Sequence, residues 1–85
     1  MNVRIPTPLR SYTGRAAVSA TGATLDAVLV DLDRQFPGLR FRVVDEQGRL
    51  RQHMRVFVNA DMVRDLSTSV TATDEITLVQ ALSGG

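Results

Sequence analysis

TLDAVLVDLDRQFPG, residues 24–38, sets Leu25, Val28, Leu29, Leu32 and Phe36 at helical spacing, an apolar stripe along one side from residue 25 to residue 36. Both ends carry stop and start signals. Thr24 is a good N-cap, Asp26 in the first turn and Arg34 near the last suit the helix dipole, and Pro37-Gly38 ends the run. A helix of about three turns is marginal in isolation, so its stripe must pack against another element.

Strands on either side supply that partner. Upstream, residues 2–5 alternate with Val3 and Ile5 on one face, Pro6 to Gly14 reads as a turn, and residues 15–20 alternate around Ala16 and Val18, giving a hairpin. Downstream, a turn is expected at Asp45-Glu46-Gln47-Gly48, then a strand over 54–59 with Val56 and Val58 sharing a face. Asn59-Ala60-Asp61 reads as a turn, 62–64 as a brief edge strand, Thr73-Asp74 as a turn, and 75–80 as a last strand with Ile76 and Leu78 inward. The order β, β, α, β, β, β implies an α+β domain over residues 1–85, a mixed sheet packed on one main helix, in the layout called the β-grasp.

Composition narrows the chemistry. A chain of 85 residues with 44% hydrophobic content has room for one compact core and little for a deep catalytic cavity. It has no cysteine, which removes disulfides, thiolate metal sites and a cysteine nucleophile. The N-terminus lacks the apolar run of a signal peptide and no stretch is long enough to span a bilayer, so a cytoplasmic protein without a membrane partner is expected. A net charge of +1 does not argue for nucleic acid. All ten basic residues are arginine, so no side chain offers an amine for an isopeptide bond.

No catalytic constellation assembles. His53 is the only histidine and sits between Arg51 and Arg55 without a second positioned group, so neither a metal site nor a general base is expected there. Asp45-Glu46 and Asp74-Glu75 fall in turns, where acidic residues serve the backbone, and Asp31 and Asp33 lie off the helical stripe as solvated groups. Arg40, Arg42, Arg49, Arg51 and Arg55 make the middle of the chain basic, either a solvated strand face or a contact for an acidic partner protein. Phe57 falls on the side of the sheet opposite Val56 and Val58, together with Thr77 and Val79, where an exposed aromatic marks a contact surface; a register slipped by one residue would instead make it core.

The terminus is the remaining feature. Residues 81–85 read Ala-Leu-Ser-Gly-Gly after the last strand, without charge or proline, and at ~3.3 to 3.6 Å per residue such a tail reaches roughly 15 Å. Gly84 and Gly85, lacking Cβ atoms, suit passage through a narrow channel, and an ionised terminal carboxylate is a nucleophile for a nucleotide α-phosphate.

With this tail and order of elements the chain resembles the MoaD/ThiS family of ubiquitin-like sulfur carriers over its whole length. Its front half is similar to the CysO-type carriers of a thiocarboxylate route to cysteine, through Ile5-Pro6-Thr7, Leu9-Arg10, Thr13-Gly14, Val18, Ala20, Gly22, Thr24-Leu25 and Asp31-Leu32; Val56 to Asn59 resembles the family's Val-Asn strand end. The resemblance implies a protein co-substrate rather than an enzyme. Gly85 would be adenylated by a ubiquitin-activating-type adenylyltransferase and sulfurtransferase that uses ATP, then converted to a thiocarboxylate, the carrier itself holding no cofactor. Gly84 and Ser83 would enter the partner's active site, and Phe57, Val79 and Leu82 would form the docking surface. A pyridoxal-phosphate cysteine synthase is the implied downstream acceptor, because the tail lacks the prolines frequent in molybdopterin synthase subunits. Two other readings stay open: the small subunit of molybdopterin synthase, and a ubiquitin-like modifier conjugated through Gly85.

Overall fold

A computed structural model describes residues 1–81. Strands β1 (Asn2–Arg4), β2 (Ala17–Ser19), β3 (Met54–Val58), β4 (Asp61–Val63) and β5 (Glu75–Gln80) form one mixed sheet in the order β2-β1-β5-β3-β4. The last strand is central. It runs parallel to β1, with Val3 opposite Ile76, and antiparallel to β3, with Met54 opposite Gln80 and Val58 opposite Ile76. Alternation along these short strands then decides what each face presents. Val3, Val18, Met54, Val56, Ile76 and Leu78 are buried on one side, and the main helix α2 (Leu25–Gln35) lays Leu25, Val28, Leu29 and Leu32 across them.

The signals read for α2 operate as expected at its start: the Thr24 hydroxyl accepts the Ala27 amide at 3.2 Å. The helix itself ends at Gln35, with Phe36 as C-cap and half-buried against the core. Gly22 leads into α2 so closely that a Cβ there would lie 2.6 Å from the Val28 nitrogen and 2.8 Å from the Ala27 carbonyl carbon. Only a glycine lets the chain pass the first turn at that distance.

Several expectations need correction. The segment from Pro6 to Gly14 is more than a turn: a 3-10 turn (Thr7–Leu9) runs into a one-turn helix α1 (Arg10–Thr13), whose Leu9 and Thr13 are buried four residues apart and which Gly14 ends at φ +71°. Ala16 is exposed and lies outside β2, because only Val18 of that strand sits over the core. The arginine-rich run is not one extended face. Gly38, at φ +95°, turns the chain into a third helix α3 (Leu39–Val43), which buries Leu39 and Val43, exposes Arg42 and keeps Arg40 half-buried in an ion pair with Asp26; Arg49 and Arg51 follow in a loop, and only Arg55 lies in a strand. The i, i+4 spacing of Leu39 and Val43 is the signal that separates helix from strand here. Strand β4 begins one residue earlier than expected, at Asp61.

Asp31 and Asp33 are not simply solvated. Asp31 is 8% exposed and accepts from the Thr21 amide at 3.1 Å, from Gln35 at 3.0 Å and from Arg34, tying α2 to the end of β2. Asp33 accepts the amides of Gly38 and Arg40 at 3.1 and 3.2 Å, so it caps the entry to α3. Both are acidic side chains recruited by backbone donors that a helical-wheel reading does not see. The expected turns at 45–48 and 73–74 form, the first closed by Gly48 N–H to Asp45 C=O at 3.0 Å with Gly48 at φ +78°.

Candidate functional site

The site is the sheet face that no helix covers together with the end of β5 from which the chain leaves. On that face Phe57 stands between Thr77 of β5 and Met62 of β4 in the strand register, and Val79 stands opposite Arg55. Phe57 is half-buried, Val79 is 37% exposed and Met62 is 56% exposed. The parity expected from sequence therefore holds: Val56 is buried against the helix, Val58 packs at the edge of the core, and Phe57, Thr77 and Val79 emerge on the other side. Met62 completes this apolar strip. The sequence reading did not assign it, because a β4 starting at Met62 hides that Met62 is the cross-strand partner of Phe57.

Strand β5 owes its central position to Ile76 and Leu78 and is held on both sides, by β1 and by β3. Its last described contact is the Ala81 amide donating to the His53 carbonyl at 2.7 Å. This bond extends the β3–β5 ladder by one step and fixes where the tail begins. Leu82, Ser83, Gly84 and Gly85 lie outside the described residues. His53 is exposed in the loop before β3, and its side chain borders a groove of about 250 Å³ lined also by Pro8, Leu9, Ser11, Tyr12, Arg42 and Gln80. Among the described residues no group of three His, Asp or Glu side chains is placed to hold a metal ion, and no helix is long and apolar enough to cross a membrane.

The turn opposite the tail is equally defined. Asn59 adopts φ +55°, donates its amide to the Glu75 carbonyl at 2.7 Å, accepts the Glu75 amide on its side chain at 3.0 Å and donates to Asp74 at 3.0 Å. Asparagine tolerates the left-handed region better than other residues with a Cβ, which gives the strand end Val58-Asn59 its physical reason. The bond from the Asn59 side chain, followed by that from the Thr71 amide at 2.8 Å, holds the Asp74 carboxyl below the ordinary carboxylate range.

Compared with known proteins, residues 3–85 match the model of the ThiS family. The chain belongs to the ThiS family. It is 37% identical to the sulfur carrier protein CysO of Mycobacterium tuberculosis, covering 100% of this chain and 98% of that one, and the crystal structure of that protein superposes with a TM-score of 0.89. A chain in the crystal structure of the Amycolatopsis orientalis BexX/CysO complex is 35% identical, with a TM-score of 0.91 over 99% of this chain and 98% of that one. SAMP1 of Haloferax volcanii is 30% identical, with a TM-score of 0.80 over 100% of this chain and 98% of that one. The fold of this ThiS-family chain is thus the ubiquitin-like β-grasp, and by family and full-length likeness to CysO it is a small sulfur-carrier protein rather than a catalyst.

Proposed function

We propose that this ThiS-family chain carries sulfur on the carboxylate of Gly85. The single observation behind this reading is that the family match runs to Gly85 itself while β5, the strand feeding that end, is pinned at the sheet centre and continues to Ala81. A carboxylate oxygen of Gly85 attacks the α-phosphorus of ATP bound to a partner adenylyltransferase, pyrophosphate leaves, and the acyl adenylate forms. Sulfide supplied at the partner's site then attacks the acyl carbon, the bond to AMP breaks, and AMP and a proton depart, leaving Gly85 as a thiocarboxylate. The partner binds the ATP and performs both steps; the carrier's share is position.

Four residues, 82–85, follow Ala81, and extended chain spans at most ~3.6 Å per residue, so the reacting atom can stand about 14 Å beyond the last described residue. Ser83 and Gly84, small and without branching, suit the channel such a reach requires. Phe57 and Val79, with Met62 beside them, form the docking strip that seats the body of the carrier against the partner, and Leu82, outside the described residues, is the further apolar residue proposed to meet that partner. The thiocarboxylate then serves a sulfur-accepting enzyme of small thio-metabolite synthesis, of which a pyridoxal-phosphate cysteine synthase is the case that the likeness to CysO supports.

Pyrophosphate exchange with the adenylating enzyme of its own host tests the first step. Deleting Gly85 is expected to abolish exchange while the sheet and core formed by the described residues persist; undiminished exchange by the truncated chain overturns the proposal. The intact mass of protein isolated from that host tests the second step, through the gain of one sulfur in place of one oxygen at the terminus. The likeness to SAMP1 favours one further reading, conjugation through Gly85 to lysines of other proteins. Isopeptide-linked Gly85 peptides in a host digest would establish it, and with no lysine of its own the chain would be added singly through side chains.

A further inference from the structure

The charges of this nearly neutral chain are sorted along its sheet. Register places Met54 and Gln80 at the tail end of the β3–β5 ladder and Val58 and Ile76 at the other. The far end carries Asp61 and Glu75 as the first residues of β4 and β5 and Asp74 in the turn before β5. At the tail end instead, Arg42 and His53 line the groove of about 250 Å³ together with Tyr12 and Gln80, Arg51 precedes His53 by two residues and Arg55 stands opposite Val79, and among the described residues no carboxylate lines that groove. Asp45 lies within electrostatic reach of Arg51, but its carboxylate is held by the amides of Gln47 and Arg49 at 2.9 and 3.0 Å.

Two of these arginines are already oriented. Arg42 donates its Nε to the Tyr12 hydroxyl at 2.6 Å and lies 5.8 Å from that ring's centre. Arg51 donates its Nε to the Phe41 carbonyl at 2.7 Å and stacks 4.6 Å from the ring centre of Phe41, which is 54% exposed. In both, the aromatic contact and the Nε bond fix the stem, while the terminal nitrogens donate to no described residue. The ion pairs among the described residues are Arg34–Asp31 and Arg40–Asp26, so neither guanidinium is paired with a carboxylate of the described residues. A guanidinium held by its Nε and its face, with its fork outward, is prepared for a carboxylate supplied by another molecule.

We infer that this collar of Arg42, Arg51 and His53 around the tail root docks on an acidic rim at the mouth of the enzyme channel that receives the tail. The inference rests on the carrier reading and adds the chemistry of the partner's surface. The sorted charges would also turn the carrier tail-first during approach, since the acidic pole is repelled by the same rim. Nucleic acid fits less well: Tyr12 and Phe41 are occupied by arginines rather than open for base stacking, and the far pole is acidic.

The test has two arms. A short oligoglutamate peptide is titrated into the full chain at low salt and followed by NMR. Amide shifts are expected to gather at Ser11, Tyr12, Arg42, His53 and Gln80, and binding to weaken about tenfold in Arg42→Glu/Arg51→Glu, with Arg42→Gln/Arg51→Gln as the variant that keeps similar side-chain bulk. Shifts at another surface, binding unchanged in the variants, or preference for a single-stranded RNA of equal charge overturns the inference. In the second arm, pyrophosphate exchange with the host adenylating enzyme should show KM about tenfold higher in the double variant, kcat nearly unchanged, and a wild-type KM that rises with salt. An unchanged KM overturns the inference, whereas absence of any exchange by the wild-type chain overturns the carrier reading and leaves the peptide arm to judge the collar.

Discussion

The two faces of the sheet are made by the same strands and differ in almost every physical respect. Along β3, Met54 and Val56 are 0% and 1% exposed beneath the helices, while Arg55 and Phe57, one residue on in each case, stand half-buried on the open side. Along β5, Ile76 and Leu78 are buried and Val79 is exposed. A step of one residue thus moves a side chain from the face that holds the domain together to the open face proposed to meet another protein. The covered face is aliphatic and close-packed, where any lost methylene is felt; the open face carries an aromatic, a methionine and arginines, residue types that gain most from a partner and cost little when left in water. Stability and recognition are therefore separable by mutation.

The largest effect that would establish the separation is on the covered side. Leu32 is fully buried at the centre of α2, and Leu32→Ala should cost about 2–5 kcal/mol of stability, read as a lower urea midpoint, through lost transfer energy and the cavity left behind. The fraction that remains folded should dock on the proposed activating enzyme with unchanged affinity. A loss under about 1 kcal/mol would mean that the core rearranges freely and that the covered face is not the close-packed one.

A smaller effect, on the opposite side, sharpens the contrast. Phe57→Ala should weaken binding to the activating enzyme by about 1–3 kcal/mol, measured by calorimetry, if the ring anchors the interface. The urea midpoint should move less than for Leu32→Ala, because Phe57 is half-buried on the open face, opposite Thr77 and Met62 in register, and lies outside the buried core. Unfolding without a binding defect would break the comparison and place Phe57 in the core.

How much of this was legible beforehand follows the same physics. The stripe Leu25, Val28, Leu29 and Leu32 and the alternation around Val56, Ile76 and Leu78 are periodic, so the main helix, the strands and their inward faces could be read, and with them the side on which Phe57 and Val79 emerge. What escaped was set by single residues or by contacts far along the chain. Gly38 in the left-handed region restarts a helix where five arginines suggested an extended run. Asp31 and Asp33 found backbone amides at Thr21, Gly38 and Arg40, which no periodicity announces. The tail-root groove brings together residues from 8 to 80 of the chain, so the pairing of Arg42 with Tyr12 is visible only in the fold. Gly84 and Gly85, which carry the proposed chemistry, lie outside the described residues.

The finest test of the covered face lies at its polar margin, where Asp31 joins α2 to the end of β2. The hydrogen bond from Arg34, then the Thr21 amide and Gln35, hold its carboxyl below the usual carboxylate range against the opposing effect of burial. A depressed folded value means that the unfolded chain binds the proton more readily, so the stabilisation is fully present above the unfolded pKa of about 3.9 and is lost as pH falls through the lower folded value. Asp31→Asn removes the titration but keeps an oxygen for the Thr21 amide. The stability difference between wild type and variant should therefore be greatest at neutral pH and shrink steadily below about pH 4, as urea midpoints across the acid range would show. Both proteins should keep some acid sensitivity, because Asp45, Asp65 and Asp74 are also held low by hydrogen bonds elsewhere in the chain. A difference independent of pH would show that the carboxylate's charge contributes nothing at this joint, leaving the apolar stripe of α2 as the helix's hold on the sheet.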